Sequence, residues 1–213
     1  AAIDAGYDTI LIDASQLPYE ENIALTRQVK DYAMSIDPNI AVEGEIGYLR
    51  GSSEVQQKVE ISPADYTQPE QARDFVTRTR VDRLAVVFGN IHGIVTEQEE
   101  RLDIEHLKKI VASVSDVALV LHGASGLSVD DVSSAIKTGI SNVHFNTELR
   151  VAYAQGLDKA IHAKEGETTP YKYLAPAAEE VKKVTWDAAI KKCIDYYEKI
   201  LCDCGVASDV RYI

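Results

Sequence analysis

One alternation constrains this chain more than any other feature. Short runs of β-branched and apolar residues take turns with longer stretches of helical periodicity, and no hairpin signal joins one run to the next. The runs are Thr9–Ile12, Asn39–Val42, Leu84–Phe88, Val117–Leu121 and Asn142–Phe145. They are almost continuously apolar, as strands covered on both faces must be. Between them, Glu21–Met34, Asp103–Val114 and Val129–Lys137 place apolar residues on one helical stripe, and Ser128 is suited to cap the last of these. Strand followed by helix, repeated, predicts a parallel α/β sheet with right-handed crossovers. The segment 47–68 is the long exception. It is rich in glycine, serine, glutamine and charge and reads as a lid or a disordered stretch. Beyond Thr147 the pattern is helical, with a polar break at 165–170 and a closing helix around Trp186 to Leu201.

Composition narrows the function. The 213 residues are 46% hydrophobic and 26% charged, which suits one globular domain over 1–213. A net charge of −12 without a basic stripe argues against nucleic acid. No apolar run can span a bilayer, so no membrane partner is expected and a cytoplasmic location fits. Cys193, Cys202 and Cys204 do not have the spacing of a disulfide framework or a zinc site. An acidic chain can still take an anionic substrate if a helix N-terminus, a metal or a single arginine makes one pocket positive.

The chemistry-bearing residues gather just after the strands. They are Asp13-Ala-Ser15, Glu43-Gly-Glu45-Ile-Gly47, Gly89-Asn-Ile-His92-Gly93, His122-Gly-Ala-Ser125-Gly126 and His144-Phe-Asn146-Thr147. In a barrel of βα units these ends share one mouth, where the active site lies. His92 and His122 each end an apolar run beside glycine. They suit either a core histidine bonded to backbone or a metal ligand, and with Asp13 and Glu45 at the same mouth the metal reading is favoured. Gly123-Ala124-Ser125-Gly126, lying between strand and helix, is either a tight turn or a phosphate cradle of backbone N–H groups. His106 and His162 fall on helices as packing or surface residues.

The stretches IDASQLPYEENIALTRQV, VEGEIG, VVFGNIHG, LVLHGASGL and GISNVHFNTELR, in that order, resemble class II ketose-bisphosphate aldolases. This family includes fructose-bisphosphate and tagatose-bisphosphate aldolases. The resemblance implies a TIM (β/α)8 barrel with about five of the eight βα units in this chain, the first three lying upstream of residue 1. It implies Zn2+, with a second divalent or a monovalent cation alongside, and a phosphorylated ketose handled by a homodimer or homotetramer. Position by position, it implies His92 and His122 as metal ligands, with Glu45 and Asp13 as acidic positions for an alternative or second ion. Gly93, Gly123, Ala124 and Ser125 fall on the phosphate cradle. Asn146 and Thr147 fall on the rest of that site, and Arg150 on the distal phosphate.

Three departures accompany the resemblance. The family's Asp-His pair, a proton-transfer residue and third zinc ligand, falls before residue 1. His144 stands where the family usually has an asparagine that contacts substrate hydroxyls. The family's mobile active-site loop falls on 47–68, and its acidic residue falls at Ser53, with Glu54 adjacent as its substitute. A Schiff-base mechanism would need a lysine at a strand end. Lys30, Lys108, Lys137 and Lys159 all fall in helical or loop stretches. The reaction expected is cleavage of fructose 1,6-bisphosphate. Tagatose 1,6-bisphosphate is the alternative, and a non-catalytic phosphosugar-binding relic is the alternative of another class.

Overall fold

The structure, a computed structural model, describes residues 1–162 and Lys191. Five strands form one parallel sheet in the order β1 (Thr9–Ile12), β2 (Ala41–Ile46), β4 (Arg83–Val86), β6 (Ala118–Leu121) and β7 (Ile140–Val143). Each pairs with the next member of that order in parallel, from Thr9 opposite Ala41 to Leu121 opposite Val143. A helix follows each strand along the chain: α1 (Tyr19–Ile36), α2 (Pro69–Thr79), α3 (Ile104–Ser113), α4 (Val129–Thr138) and α5 (Thr147–His162). Two further strands, β3 (Gly51–Gln56) and β5 (His92–Val95), pair with each other as a separate parallel ribbon. The chain divides into two compact units, 1–144 and 145–213, and both sheets lie in the first. Within the second, α5 is the described element. The cysteines and the expected closing helix lie outside the described residues, apart from helical Lys191.

Local chemistry explains the helix boundaries. Glu20 and Glu21 sit in the first turn of α1, where carboxylates complement the dipole, and Pro38 follows its end. Pro69 opens α2, where a missing N–H has no cost. Asp103 caps α3 by accepting from the His106 N–H at 2.8 Å. Ser128 caps α4 as expected, accepting from the Asp131 N–H at 3.0 Å.

The core lies between sheet and helices, with Val42, Leu84 and Val120 from the strands against Phe75, Leu107, Ile110 and Val132 from the helices, all of them buried. Gly44 makes one of these contacts possible: a Cβ there would stand 2.7 Å from the Phe75 ring and 3.3 Å from Thr26. The ring packs directly on the β2 backbone because that strand carries no side chain at this point.

The strand positions differ from expectation in an instructive way. β2 runs to Ile46 and not to Val42, because Glu43 and Glu45 belong to it as buried residues. β7 begins at Ile140, two residues before the expected run. β3 and β5 were not foreseen. GSSEVQ has no apolar alternation, and its pairing with HGIV depends on a glycine at each crowded point.

Candidate active site

The site is built on the C-terminal ends of the strands of the first unit. Along β2, side chains alternate between faces. Gly44 turns towards Phe75 and α2, so Glu43 and Glu45 turn together to the opposite face. Both are almost fully buried, at 2% and 3% exposure. Burying two carboxylates side by side is costly unless something cationic meets them. His122, immediately after β6, meets both. Its Nε2 lies 2.7 Å from Glu43 Oε1 and its Nδ1 lies 3.2 Å from Glu45 Oε2. Burial alone would push the His122 imidazolium down. The hydrogen bonds and charge of Glu43 and Glu45 outweigh it and hold the group up at about 9. One ring therefore bridges the two acidic side chains. Asn90 fixes the backbone beneath, donating from Nδ2 to the His122 carbonyl at 3.0 Å.

His144, at the end of β7, lies over this ring. The two imidazoles stack with centroids 4.6 Å apart and planes 20° from parallel. Asn142 Nδ2 contacts His144 Nε2 at 3.0 Å, and the His144 backbone N–H donates to Leu121 O. Burial pushes its imidazole down, and the neighbouring His122 charge adds to that. Glu43, His122 and His144 each offer one donor atom within 4.8 Å of the others. Two imidazoles and a carboxylate are a chemically suitable set for zinc. The buried pair of carboxylates against one imidazolium leaves an excess of negative charge that a divalent cation would balance. The residues present fit the metal.

His92 opens β5 and is half-buried. Burial is the main influence lowering its imidazole, and the Glu45 and Asp13 carboxylates act in the opposite direction. Its backbone is tied to the ribbon: its N–H donates to Arg50 O at 2.7 Å and its carbonyl accepts from Gln56 Nε2 at 2.9 Å. Asp13 is exposed after β1 and accepts from Ser15 Oγ at 2.7 Å and from the Ser15 N–H at 3.2 Å. Glu54 is exposed on β3, and Ser52 Oγ donates to its Oε2 at 3.5 Å. The segment 47–68 is fastened at its base, where Arg50 grips Asp65 through two 2.8 Å bonds and lies 4.8 Å over the Tyr48 ring.

The glycine-rich loop after β6 crosses the backbone of the preceding strand end. Gly123 has φ +67°, and a Cβ there would collide with the Ile91 carbonyl. Ala124 and Ser125 are buried, and the Ala124 N–H donates to His144 O at 3.2 Å. Gly93, with φ +100°, lies against the Ser52 and Glu54 carbonyls. Asn146, Thr147 and Arg150 belong to the second unit. There Thr147 opens α5, and the Arg150 N–H donates to Asn146 O at 3.1 Å.

Glu43 stood in the strand-end cluster without a role of its own, and Glu100 is one of the buried charged groups that sequence reasoning did not single out. Glu43 could have been found from E-G-E inside a strand, which sets two carboxylates on one face. Glu100 is pushed up to about 8, chiefly by burial; its Oε1 accepts from the Ile91 N–H at 3.1 Å and its Oε2 has no hydrogen-bond partner among the described residues. His106 is the packing residue expected, bonded through Nε2 to Thr67 O at 2.8 Å and edge-on to Tyr66. The His162 side chain lies outside the described residues. No strand among the described residues carries a lysine.

Parallel strands feeding helices, with two imidazoles and two carboxylates at the strand ends, define a βα-type fold with a polar, metal-compatible mouth. Residues 1–193 match the family model for class II fructose-bisphosphate aldolase, and the chain belongs to that family. The YdjI aldolase of Escherichia coli K12 is similar at 31% identity and a TM-score of 0.70, over 99% of this chain and 66% of that one. A candidate fructose-1,6-bisphosphate aldolase from Coccidioides immitis is similar at 28% identity and a TM-score of 0.71, over 95% of this chain and 67% of that one. Against a fructose-bisphosphate aldolase from Campylobacter jejuni, 22% identical with a TM-score of 0.68, the likeness covers 91% of this chain and 60% of that one and shows the fold alone. The chain thus spans about two thirds of the length of these relatives. Its fold class is that of the TIM (β/α)8 barrel, with five βα units present. No helix among the described residues is long and apolar enough to cross a membrane.

Proposed function

We propose that the protein catalyses reversible, metal-dependent aldol cleavage of a ketose 1,6-bisphosphate, with fructose 1,6-bisphosphate as substrate and Zn2+ as the ion. The observation that carries this reading is His122 clamped between buried Glu43 and Glu45 at the strand ends. A fold does not by itself maintain a pair of buried acids sharing one imidazole. A cation site gives that arrangement a use. The chemistry the ion supplies is Lewis acidity: it polarises the ketose carbonyl and balances the charge that develops when the carbon–carbon bond breaks.

The residues of this chain do the rest. His122 offers the ion a ring nitrogen once its proton has left, and Glu45 on the other nitrogen sets the ring's orientation. The resemblance adds His92 as a further ligand, with Glu45 and Asp13 as acidic positions for a second divalent or a monovalent cation. Gly93 and the Gly123, Ala124 and Ser125 loop take the phosphate nearer the carbonyl, which requires Ala124 to exchange its bond to His144 O for the ligand. The resemblance assigns Asn146 and Thr147 to phosphate and sugar binding, Arg150 to the distal phosphate, and His144 to the substrate hydroxyls. Glu54, on β3, stands in for the acidic residue of the family's mobile loop. Assembly as a homodimer or homotetramer and a cytoplasmic location complete this reading.

Tagatose 1,6-bisphosphate differs from the fructose sugar at one stereocentre, so side-by-side kcat/KM values on the two assign the substrate. Chelation should abolish cleavage, and Zn2+ should restore it. Cleavage that survives chelation, or substrate trapped on the protein by borohydride, would overturn the metal reading in favour of a Schiff base. No turnover of either sugar by metal-loaded full-length protein would leave the phosphosugar-binding relic.

A further inference from the structure

The loop between β5 and α3 carries one buried carboxyl, Glu100, that has no part in the chemistry assigned above. It stands between two glycine-rich turns. On one side its Oε1 accepts from the Ile91 N–H at 3.1 Å. On the other its Oε2 faces the loop 123–126, where a Cβ on Gly126 would lie 3.5 Å from that oxygen. The two turns also meet directly, because the Ile91 carbonyl fills the space in which Gly123 would carry a Cβ. Ile91 is thus held by Glu100 at its N–H and crosses Gly123 at its carbonyl. Neighbouring backbone reinforces the joint: the Asp103 N–H donates to Phe88 O at 2.7 Å, and Gly89 packs on the Arg101 carbonyl.

The charges around Glu100 favour its neutral form. Asp131 acts on it from α4, in the same direction as burial. Arg101, its chain neighbour, pairs with Glu99 at 2.5 Å, and Asp103 caps α3. His92 and His122, next along the two turns, are under the influence of Glu45, with Asp13 acting on the first and Glu43 on the second. An ionised Glu100 would set a negative charge behind the loop read as the phosphate cradle, in a medium that screens it poorly.

We propose that Glu100 is a positioning residue for phosphate binding: as a neutral acid it holds the Ile91 turn and the Gly123–Gly126 loop together, and on ionising it weakens the grip of that loop on a phosphate. It rests on the phosphate role given to the loop above.

The test follows two quantities in full-length, zinc-loaded protein from about pH 6 to 9.5, the range in which Glu100 titrates. One is KM for fructose 1,6-bisphosphate. The other is the calorimetric dissociation constant of sulfate, an anion whose own charge is constant over that range. Binding by the neutral form alone predicts that both rise about tenfold between pH 7 and 9 in the wild type. Glu100→Gln, which keeps an acceptor for Ile91 and cannot ionise, should abolish the rise, with kcat at each pH matching the wild type, as a change in uniform binding requires. Glu100→Ala, which loses the tether, should raise both constants at every pH. Wild-type constants flat through pH 8, a readout that needs no variant to fold, would overturn the proposal and leave the aldolase reading. So would a rise that persists in Glu100→Gln, the result expected if Glu100 were merely structural. No turnover, with the sulfate profile as described, would overturn the aldolase reading and leave the role of Glu100. Neither turnover nor sulfate binding would overturn both.

Discussion

Two charge clusters, one part-buried and one fully buried, sit at opposite ends of the same sheet, and they are built differently. At the N-terminal end, Lys30 from α1 is buried and points its ammonium at Asp82, with contacts of 2.6 and 2.9 Å. The same carboxylate accepts from the Val42 N–H at 2.7 Å. One cation meets one anion, and a backbone donor fills the remainder. At the C-terminal end, Glu43 and Glu45 share a single imidazole. The first cluster is closed and locks α1 to the N-terminal ends of β2 and β4. The second has more negative charge than its own residues offset, and that excess suits it to a further cation. Glu100 shows a third arrangement, in which a buried carboxyl without a cationic partner among the described residues is pushed up to about 8 by burial.

The contrast can be broken by experiment, and the largest effect is expected at the open cluster. His122→Asn should lower kcat/KM on the order of 10³-fold or more, the equivalent of several kcal/mol of lost charge stabilisation. Near-wild-type turnover would show that the imidazole is only structural. At the closed cluster, Lys30→Met should cost stability and not chemistry. Breaking a fully buried pair costs about 3–5 kcal/mol, and the partial exposure of Asp82 reduces the expected loss to about 1–3 kcal/mol. Denaturant melts measure this, with kcat/KM unchanged.

The third arrangement predicts a pH dependence. The folded state holds the Glu100 proton up to about 8, against an ordinary 4.5 in the unfolded chain. A raised folded value means that the stabilisation is fully present below pH 4.5 and is lost as the pH rises through about 8. Glu100→Gln should remove that component of the slope of stability against pH and stabilise the protein above pH 8. Unfolding midpoints for the two forms across this range decide it, and parallel curves would contradict the reading. The smallest effect should come from the α4 cap. Ser128→Ala removes it and should cost about 1 kcal/mol, read as a shift in the denaturant midpoint.

These contrasts also mark how far the sequence could be read. β1 and the Ser128 cap were legible because an apolar run and a cap residue announce themselves locally. So was the placing of chemistry at the strand ends, since His92 and His122 each sit beside glycine after an apolar run. Glu43 was legible as part of a strand-end cluster but not as the partner of His122. It lies inside a strand that an apolar scan ends at Val42, and its partner is 79 positions away. The β3–β5 ribbon was invisible for a related reason: a polar strand is defined by its neighbour's backbone and by Gly51 and Gly93, not by its own hydrophobicity. His144 was legible as a departure from related enzymes, but its stacking on His122 depends on how β6 and β7 pair. The closed cluster escaped notice because Lys30 reads as an ordinary helix lysine until Asp82 is placed beside it.

The most direct test of the account is thermal unfolding of the full-length protein, stripped of metal and then titrated with Zn2+, while bound ion is counted by equilibrium dialysis. The account predicts one ion per chain and a midpoint that climbs with free Zn2+ as mass action requires, both lost in His122→Asn and both kept in Lys30→Met. An unfolding midpoint indifferent to Zn2+, or an identical rise in His122→Asn, would contradict it.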